Sequence, residues 1–141
     1  MNRKQRRAET KLHQPVAPAA SWVARQLANA VQQHQAGRLA EAETLYQQVL
    51  ARDTGNADAL HLLGVVTHQK GRPDLAIDLI RQAIAINPRE ASFHANLGVA
   101  FKELGRREEA ITCYRAAIRL RPQQPEAHNS LGNALAESEL L

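Results

Sequence analysis

Apolar side chains along this chain recur at helical intervals, and the whole pattern then repeats. Leu60, Leu63 and Thr67 fall at the spacing of one helix face, and Leu75, Ala76, Leu79, Ile80 and Ala83 at that of a second. Gly37, Gly71 and Gly105 stand 34 residues apart, and Ala42, Ala76 and Ala110 keep the same interval. So do the pairs Leu63-Gly64, Leu97-Gly98 and Leu131-Gly132, the row Tyr46, Ile80 and Tyr114, the row Val49, Ala83 and Ala117, and the row Thr54, Pro88 and Pro122. Six rows agreeing on one register predict an all-α chain built from repeated helix pairs.

Backbone chemistry explains the punctuation of each pair. The row Gly37, Gly71 and Gly105 marks the end of each first helix, because glycine enters the left-handed region without a Cβ clash. Pro73 suits the first turn of the helix that follows, where an amide would be unpaired anyway. Pro88 and Pro122 close second helices, since the residue before a proline is pushed out of the α region. Gly64, Gly98 and Gly132 instead lie inside first helices, where glycine costs roughly 1 kcal/mol relative to alanine. Their recurrence implies a neighbouring helix crossing close to the backbone, with Ala42, Ala76 and Ala110 as the expected small facing surface.

A 34-residue period with Leu-Gly in the first helix, Ala early in the second, an aromatic or aliphatic residue four positions on, Ala three further and Pro at the end resembles the tetratricopeptide repeat. The resemblance runs over about residues 23–138 and implies a right-handed α-solenoid of antiparallel helix pairs, about three and a half repeats long. It divides the chain into a basic tail and Pro/Ala linker over 1–20, a divergent first repeat over 21–56, two well-matched repeats at 57–90 and 91–124, and the first helix of a fourth at 125–138. The first repeat departs from the pattern at Asn29-Ala30 and Thr54, so its register rests on Gly37, Ala42, Tyr46 and Val49. Leu60, His94 and His128 occupy the row that the family fills with tryptophan, which assigns them to packing. Trp22 is expected to anchor the N-terminal helix, with Ser21 as its cap.

More narrowly, the stretches 91–98 and 126–135 are similar to bacterial repeats that precede transferase domains of the O-linked N-acetylglucosamine type. Such an activity needs a complete catalytic domain after residue 138, where only Glu139, Leu140 and Leu141 follow, so no catalysis is expected of this chain.

Composition narrows the picture. At 141 residues there is room for one such array. The chain is 44% hydrophobic but only 4% aromatic, so small residues must do much of the packing. Mean hydropathy is -0.42. No window approaches the ~18 apolar residues of a membrane span, and the basic N-terminus lacks the apolar stretch of a secretory signal, which points to the cytoplasm. Cys113 is the single cysteine, excluding an internal disulfide and CxxC or Cys/His zinc spacing. There is no Gly-rich phosphate loop, GxSxG or HExxH, and no cofactor is implied. His61 and His68, seven apart, could share a helix face, but without a carboxylate cluster they read as polar groove residues rather than metal ligands.

The resemblance also implies where a partner would bind. First helices line a groove in which matched positions read an extended peptide. Carried over residue by residue, these are Asp58, His61, Leu62, Val65, His68 and Gln69 in one repeat, and Ser92, Ala95, Asn96, Val99, Lys102 and Glu103 in the next. Glu126, Asn129, Ser130, Asn133, Ala136 and Glu137 follow in the last. Arrays that clamp a terminal carboxylate do so with Lys, Arg and Asn. Here Lys102 is accompanied by Asp58, Glu103, Glu126 and Glu137, which argues against that mode. Transferase-type arrays use an asparagine ladder, whose amides donate to and accept from a peptide backbone at once. Asn96 alone holds the ladder position, with Asn129 and Asn133 nearby.

Net charge is +4, and it resides in the tail: Arg3, Lys4, Arg6, Arg7 and Lys11 against Glu9. The remainder is electrically balanced. The tail fits nucleic acid or an anionic membrane electrostatically, but it has no aromatic residue for base stacking and no apolar face for insertion, so it reads as a solvated arm. At the other end Leu131 and Leu135 pack inward without a second helix, and this half-repeat either caps the array, meets another copy as a homo-oligomer, or is the remnant of something longer. The expected function is binding of a protein or peptide partner; an accessory array of a glycosyltransferase-like enzyme is the alternative.

Overall fold

The computed structural model describes residues 19–139. Seven helices follow one another: α1 (Ala19–Gln35), α2 (Leu39–Arg52), α3 (Ala57–Gln69), α4 (Pro73–Ile86), α5 (Ala91–Glu103), α6 (Arg107–Leu120) and α7 (Pro125–Glu139). Among the described residues there is no strand, and no helix is long and apolar enough to cross a membrane. Each helix packs mainly on its neighbours in the chain, and the first helices α3 and α5 also touch directly. This nearest-neighbour packing is that of the solenoid which the family resemblance implies.

The turns form as their chemistry requires. Gly37, Gly71 and Gly105 adopt φ of 79°, 84° and 73°. Each donates back to the carbonyl three residues earlier, and the following arginine donates five residues back, as in Arg72 N to Thr67 O at 3.1 Å. These paired bonds satisfy carbonyls that the helix end would otherwise orphan. Pro73 opens α4, and α4 and α6 stop two residues short of Pro88 and Pro122.

The core is made of the repeated rows. Ala42, Tyr46 and Val49, then Ala76, Ile80 and Ala83, then Ala110, Tyr114 and Ala117 are each no more than 1% exposed. The second glycine row works differently from the expectation of small surfaces meeting. A β-carbon on Gly64 would stand 2.7 Å from Ile80 Cγ1, with the Ala76 carbonyl oxygen at 3.3 Å, and Gly98 seats Tyr114 in the same way. These glycines make room for the largest fully buried side chain of the next helix, while the alanine row lets that helix approach closely enough to deliver it.

Two expectations at the N-terminal end are corrected. The helix begins at Ala19, so Ser21 lies within its first turn instead of capping it, and Ala19 and Ala20 belong to the helix, not to the linker. Alanine is the strongest helix former, and nothing after Pro18 interrupts the pattern. Trp22 does anchor this end: it packs against the cluster of Val23, Val49 and Ala59, and Arg52 stacks its guanidinium 4.1 Å from the ring centre. The basic tail lies outside the described residues. At the far end, the face of α7 that would receive a second helix is open: a β-carbon on Gly132 would meet nothing within 4 Å, and Leu135 is 36% exposed.

Candidate functional site

The proposed groove positions sit on the first helices α3, α5 and α7, and the structure links them across repeats. In the 34-residue register counted from Val23, Ala57, Ala91 and Pro125, the twelfth residue of one repeat reaches the thirteenth of the next three times over. His34 Nε2 lies 2.6 Å from Gln69 Oε1, His68 Nε2 3.7 Å from Glu103 Oε1, and Lys102 Nζ 3.9 Å from Glu137 Oε1. These rungs tie α1 to α3, α3 to α5 and α5 to α7. They are exposed or half-buried, so each is worth at most about 1 kcal/mol. Their consequence is positional: Gln69, Lys102 and Glu103 are engaged within the array.

A fourth rung is buried deeper. Asn96 Nδ2 donates to His61 Nε2 at 2.7 Å, joining the sixth position of one repeat to the fifth of the one before. His61 is 7% exposed, and its ring stacks 4.6 Å from that of Phe93 at a tilt of 35°. Burial pushes the imidazole pKa down to about 4, against the opposing pull of the Asp58 and Glu90 carboxylates. A neutral ring accepting at Nε2 is what the Asn96 donor requires. With its amide nitrogen so fixed, Asn96 keeps Oδ1 for another donor.

The remaining groove positions fall into two sets. Asp58, Glu126, Asn129, Asn133 and Ala136 are exposed, while Leu62, Val65, Ser92, Ala95, Val99 and Ser130 are half-buried. Ser92 Oγ donates to Glu90 Oε1 at 3.1 Å. Asn129 and Asn133 make no side-chain hydrogen bond among the described residues. His61 and His68 do not converge on one site, since each turns to a different partner on α5.

The histidines in the tryptophan row are corrected from packing to hydrogen bonding. His94 Nε2 lies 2.8 Å from the Pro88 carbonyl, and His128 Nε2 2.7 Å from that of Pro122. Each ring N–H latches the proline that ends the preceding repeat, a task that Leu60, buried at the same position of the second repeat, cannot perform. Cys113 is buried, and burial holds its thiol up to about 11. His34 is the rung residue that sequence reasoning passed over. Its signal was there, because it stands 34 residues before His68.

Two family models match this chain, one described as tetratricopeptide repeat over residues 26–91 and one as TPR repeat over residues 100–138. Among solved structures the chain is similar to a mutant O-GlcNAc transferase of Thermobaculum terrenum, with 35% identity and a TM-score of 0.82. That match covers 86% of this chain and only 23% of the transferase. The chain also resembles the first TPR of Spaghetti (RPAP3) bound to an HSP90 peptide, at 20% identity and a TM-score of 0.80, covering 83% of this chain and 93% of that one. A third likeness is to the Yersinia enterocolitica type III secretion chaperone SycD in complex with a peptide of the translocator YopD, at 19% identity and a TM-score of 0.75 over 84% and 95% of the two chains. A comparison with curated proteins gives no match. The two family matches fall on helix pairs punctuated by left-handed glycines and locked by seated aromatic or aliphatic residues, and on these grounds the chain belongs to the tetratricopeptide repeat family.

Proposed function

We propose that this array binds an extended segment of a protein partner along the face of its first helices, with Asn96 as the central reader and the exposed amides of Asn129 and Asn133 extending the strip. The observation that carries this reading is the His61–Asn96 hydrogen bond at 2.7 Å. An asparagine already held at its nitrogen loses little further rotamer freedom when its oxygen accepts a backbone N–H. Two of the similar structures are peptide complexes by their own descriptions, which supports the same use of the fold here. Capture of a terminal carboxylate fits poorly. Lys102 is paired with Glu137, and Asp58, Glu103 and Glu126 surround the groove with negative charge.

The test is affinity capture with the native chain and a variant carrying alanine at Lys102, Asn96 and Asn129, beside a control with alanine at the exposed Asp74 of α4. A partner held by the native and control proteins and lost by the triple variant supports the groove. A partner retained equally by all three removes the assignment.

The 35% identity to the transferase supports a second reading, in which the array recognises substrates for a glycosyltransferase of that type. That reading requires a catalytic domain in the same reading frame or in a co-purifying chain. Purification from the native source without any associated glycosyltransferase would count against it.

A further inference from the structure

The two full junctions between repeats can be compared position by position, because their register is fixed at 34 residues. In the later junction Phe101 fills the space between α4, α5 and α6. It is 2% exposed, with the guanidinium groups of Arg81 and Arg106 at 5.3 Å and 4.8 Å from its ring centre. Arg106 is steadied in turn by a two-pronged bond to Glu109, at 2.6 Å and 2.7 Å. One repeat earlier the corresponding residues are Thr67 for Phe101, Gln47 for Arg81, Arg72 for Arg106 and Leu75 for Glu109.

These exchanges leave a crevice of about 270 Å³ where the ring would be, lined among others by Gln47, Leu63, Thr67, Arg72, Leu75 and Leu79, with the Glu43–Lys70 ion pair at its edge. An apolar cavity of about 150 Å³ already accommodates benzene. The floor asks for no polar partner, since Thr67 Oγ1 donates to the Leu63 carbonyl at 2.7 Å. Arg72, by contrast, lacks one. Its row mates Arg38 and Arg106 are engaged by Gln33 and Glu109, whereas the Arg72 side chain has no hydrogen bond or ion pair among the described residues. Leu75, standing where the carboxylate would be, is 48% exposed.

We propose that this crevice is a second docking site, distinct from the first-helix groove, for a partner segment carrying an aromatic side chain beside an Asp or Glu. The ring takes the place that Phe101 holds in the next junction, and the carboxylate takes the bond to arginine that Glu109 supplies there. The charge complementarity is with Arg72, whose cation also lies at the mouth to stack on the entering ring. Because the site lies between α2, α3 and α4, it stands or falls independently of the groove reading.

The experiment is an NMR titration of the full chain with three capped peptides, acetyl-Gly-Phe-Glu-Gly-amide, the same with Gln for Glu and the same with Ala for Phe, and with a fourth, acetyl-Gly-Gly-Phe, whose carboxylate is free. The first is expected to move the amide resonances of Leu63, Thr67, Arg72 and Leu75. The Gln peptide binds roughly two- to fivefold more weakly, the range of a partly exposed charged contact, and the Ala peptide leaves those resonances in place. Thr67→Phe closes the crevice, abolishing the shifts and raising the melting temperature. Leu75→Glu, at an exposed site that leaves the fold intact, re-creates the Arg–Glu pair internally and erases the preference for Glu over Gln. The proposal is overturned if none of the peptides moves these resonances, if the Phe and Ala peptides act alike, or if Leu75→Glu keeps the full preference. Binding of acetyl-Gly-Gly-Phe with a free carboxylate in place of the internal acidic peptide overturns it too. Concentration-dependent shifts of the same resonances without peptide would give the crevice to a second copy and likewise overturn it.

Discussion

Tyr114 Cε1 lies 2.6 Å from the point where a β-carbon on Gly98 would stand, closer than real side chains approach one another. The ring is 1% exposed and hemmed in by Phe93, Leu97 and Ala110 in the same core, so it cannot swing aside. Gly98→Ala is therefore expected to destabilise the array by roughly 1–3 kcal/mol, the ordinary range for overpacking. Gly64→Ala meets Ile80 at 2.7 Å and the Ala76 carbonyl oxygen at 3.3 Å and should behave likewise. Gly132→Ala meets nothing and should be neutral or stabilising by up to about 1 kcal/mol, the helix-propensity gain. Urea denaturation of the three variants checks this, and equal effects at all three positions would contradict the seat-and-ring account.

The glycine rows show how far sequence reasoning reaches in a repeat protein. Rows at one interval establish the helix pairs, their ends and the buried positions, because every copy must solve the same packing problem. That Gly64 and Gly98 make room was legible. What fills the room was not, since the distance between Gly64 and Ile80 in the chain does not say which side chain the crossing delivers. The same limit explains the histidines. His94 and His128 share a row with Leu60, so position alone suggested packing, while the bond to a proline carbonyl depends on ring nitrogens that hydropathy does not register. The groove rungs run from one row to the adjacent row of the next repeat, an offset that alignment within rows conceals. His34 was hidden further because the first repeat is divergent.

The latch of His94 on Pro88 yields a second prediction. Replacing His94 with alanine removes a hydrogen bond from a half-buried ring to the exposed Pro88 carbonyl and should cost roughly 0.5–1 kcal/mol. His128→Ala removes an equivalent bond at an exposed site on the terminal helix, where water can replace the donor, so a smaller loss is expected. Hydrogen exchange at the turn between α4 and α5 reads the effect directly. An unchanged exchange rate there in His94→Ala would show that the contact holds nothing in place.

The buried His61 makes stability depend on pH, and nearer pH 4 binding as well. In the unfolded chain its pKa is near 6.5, whereas burial holds it to about 4 in the fold. Between those values the unfolded chain takes up a proton that the folded chain refuses, so acid favours unfolding. The contribution is fully present above about pH 6.5 and is lost as the pH falls toward 4, on the order of 3 kcal/mol in all. Denaturation at pH 7 and pH 5 should show the native chain losing stability and His61→Gln losing distinctly less. Protonation also places a donor on Nε2 opposite the Asn96 amide nitrogen, and two donors cannot share one bond. Asn96 must then turn its oxygen to His61, withdrawing from the groove the acceptor assigned to the partner's backbone. Partner affinity of the folded chain should therefore hold down to about pH 5, weaken as the pH nears 4 in the native chain and stay level in His61→Gln, and parallel acid profiles for the two proteins would separate Asn96 from recognition.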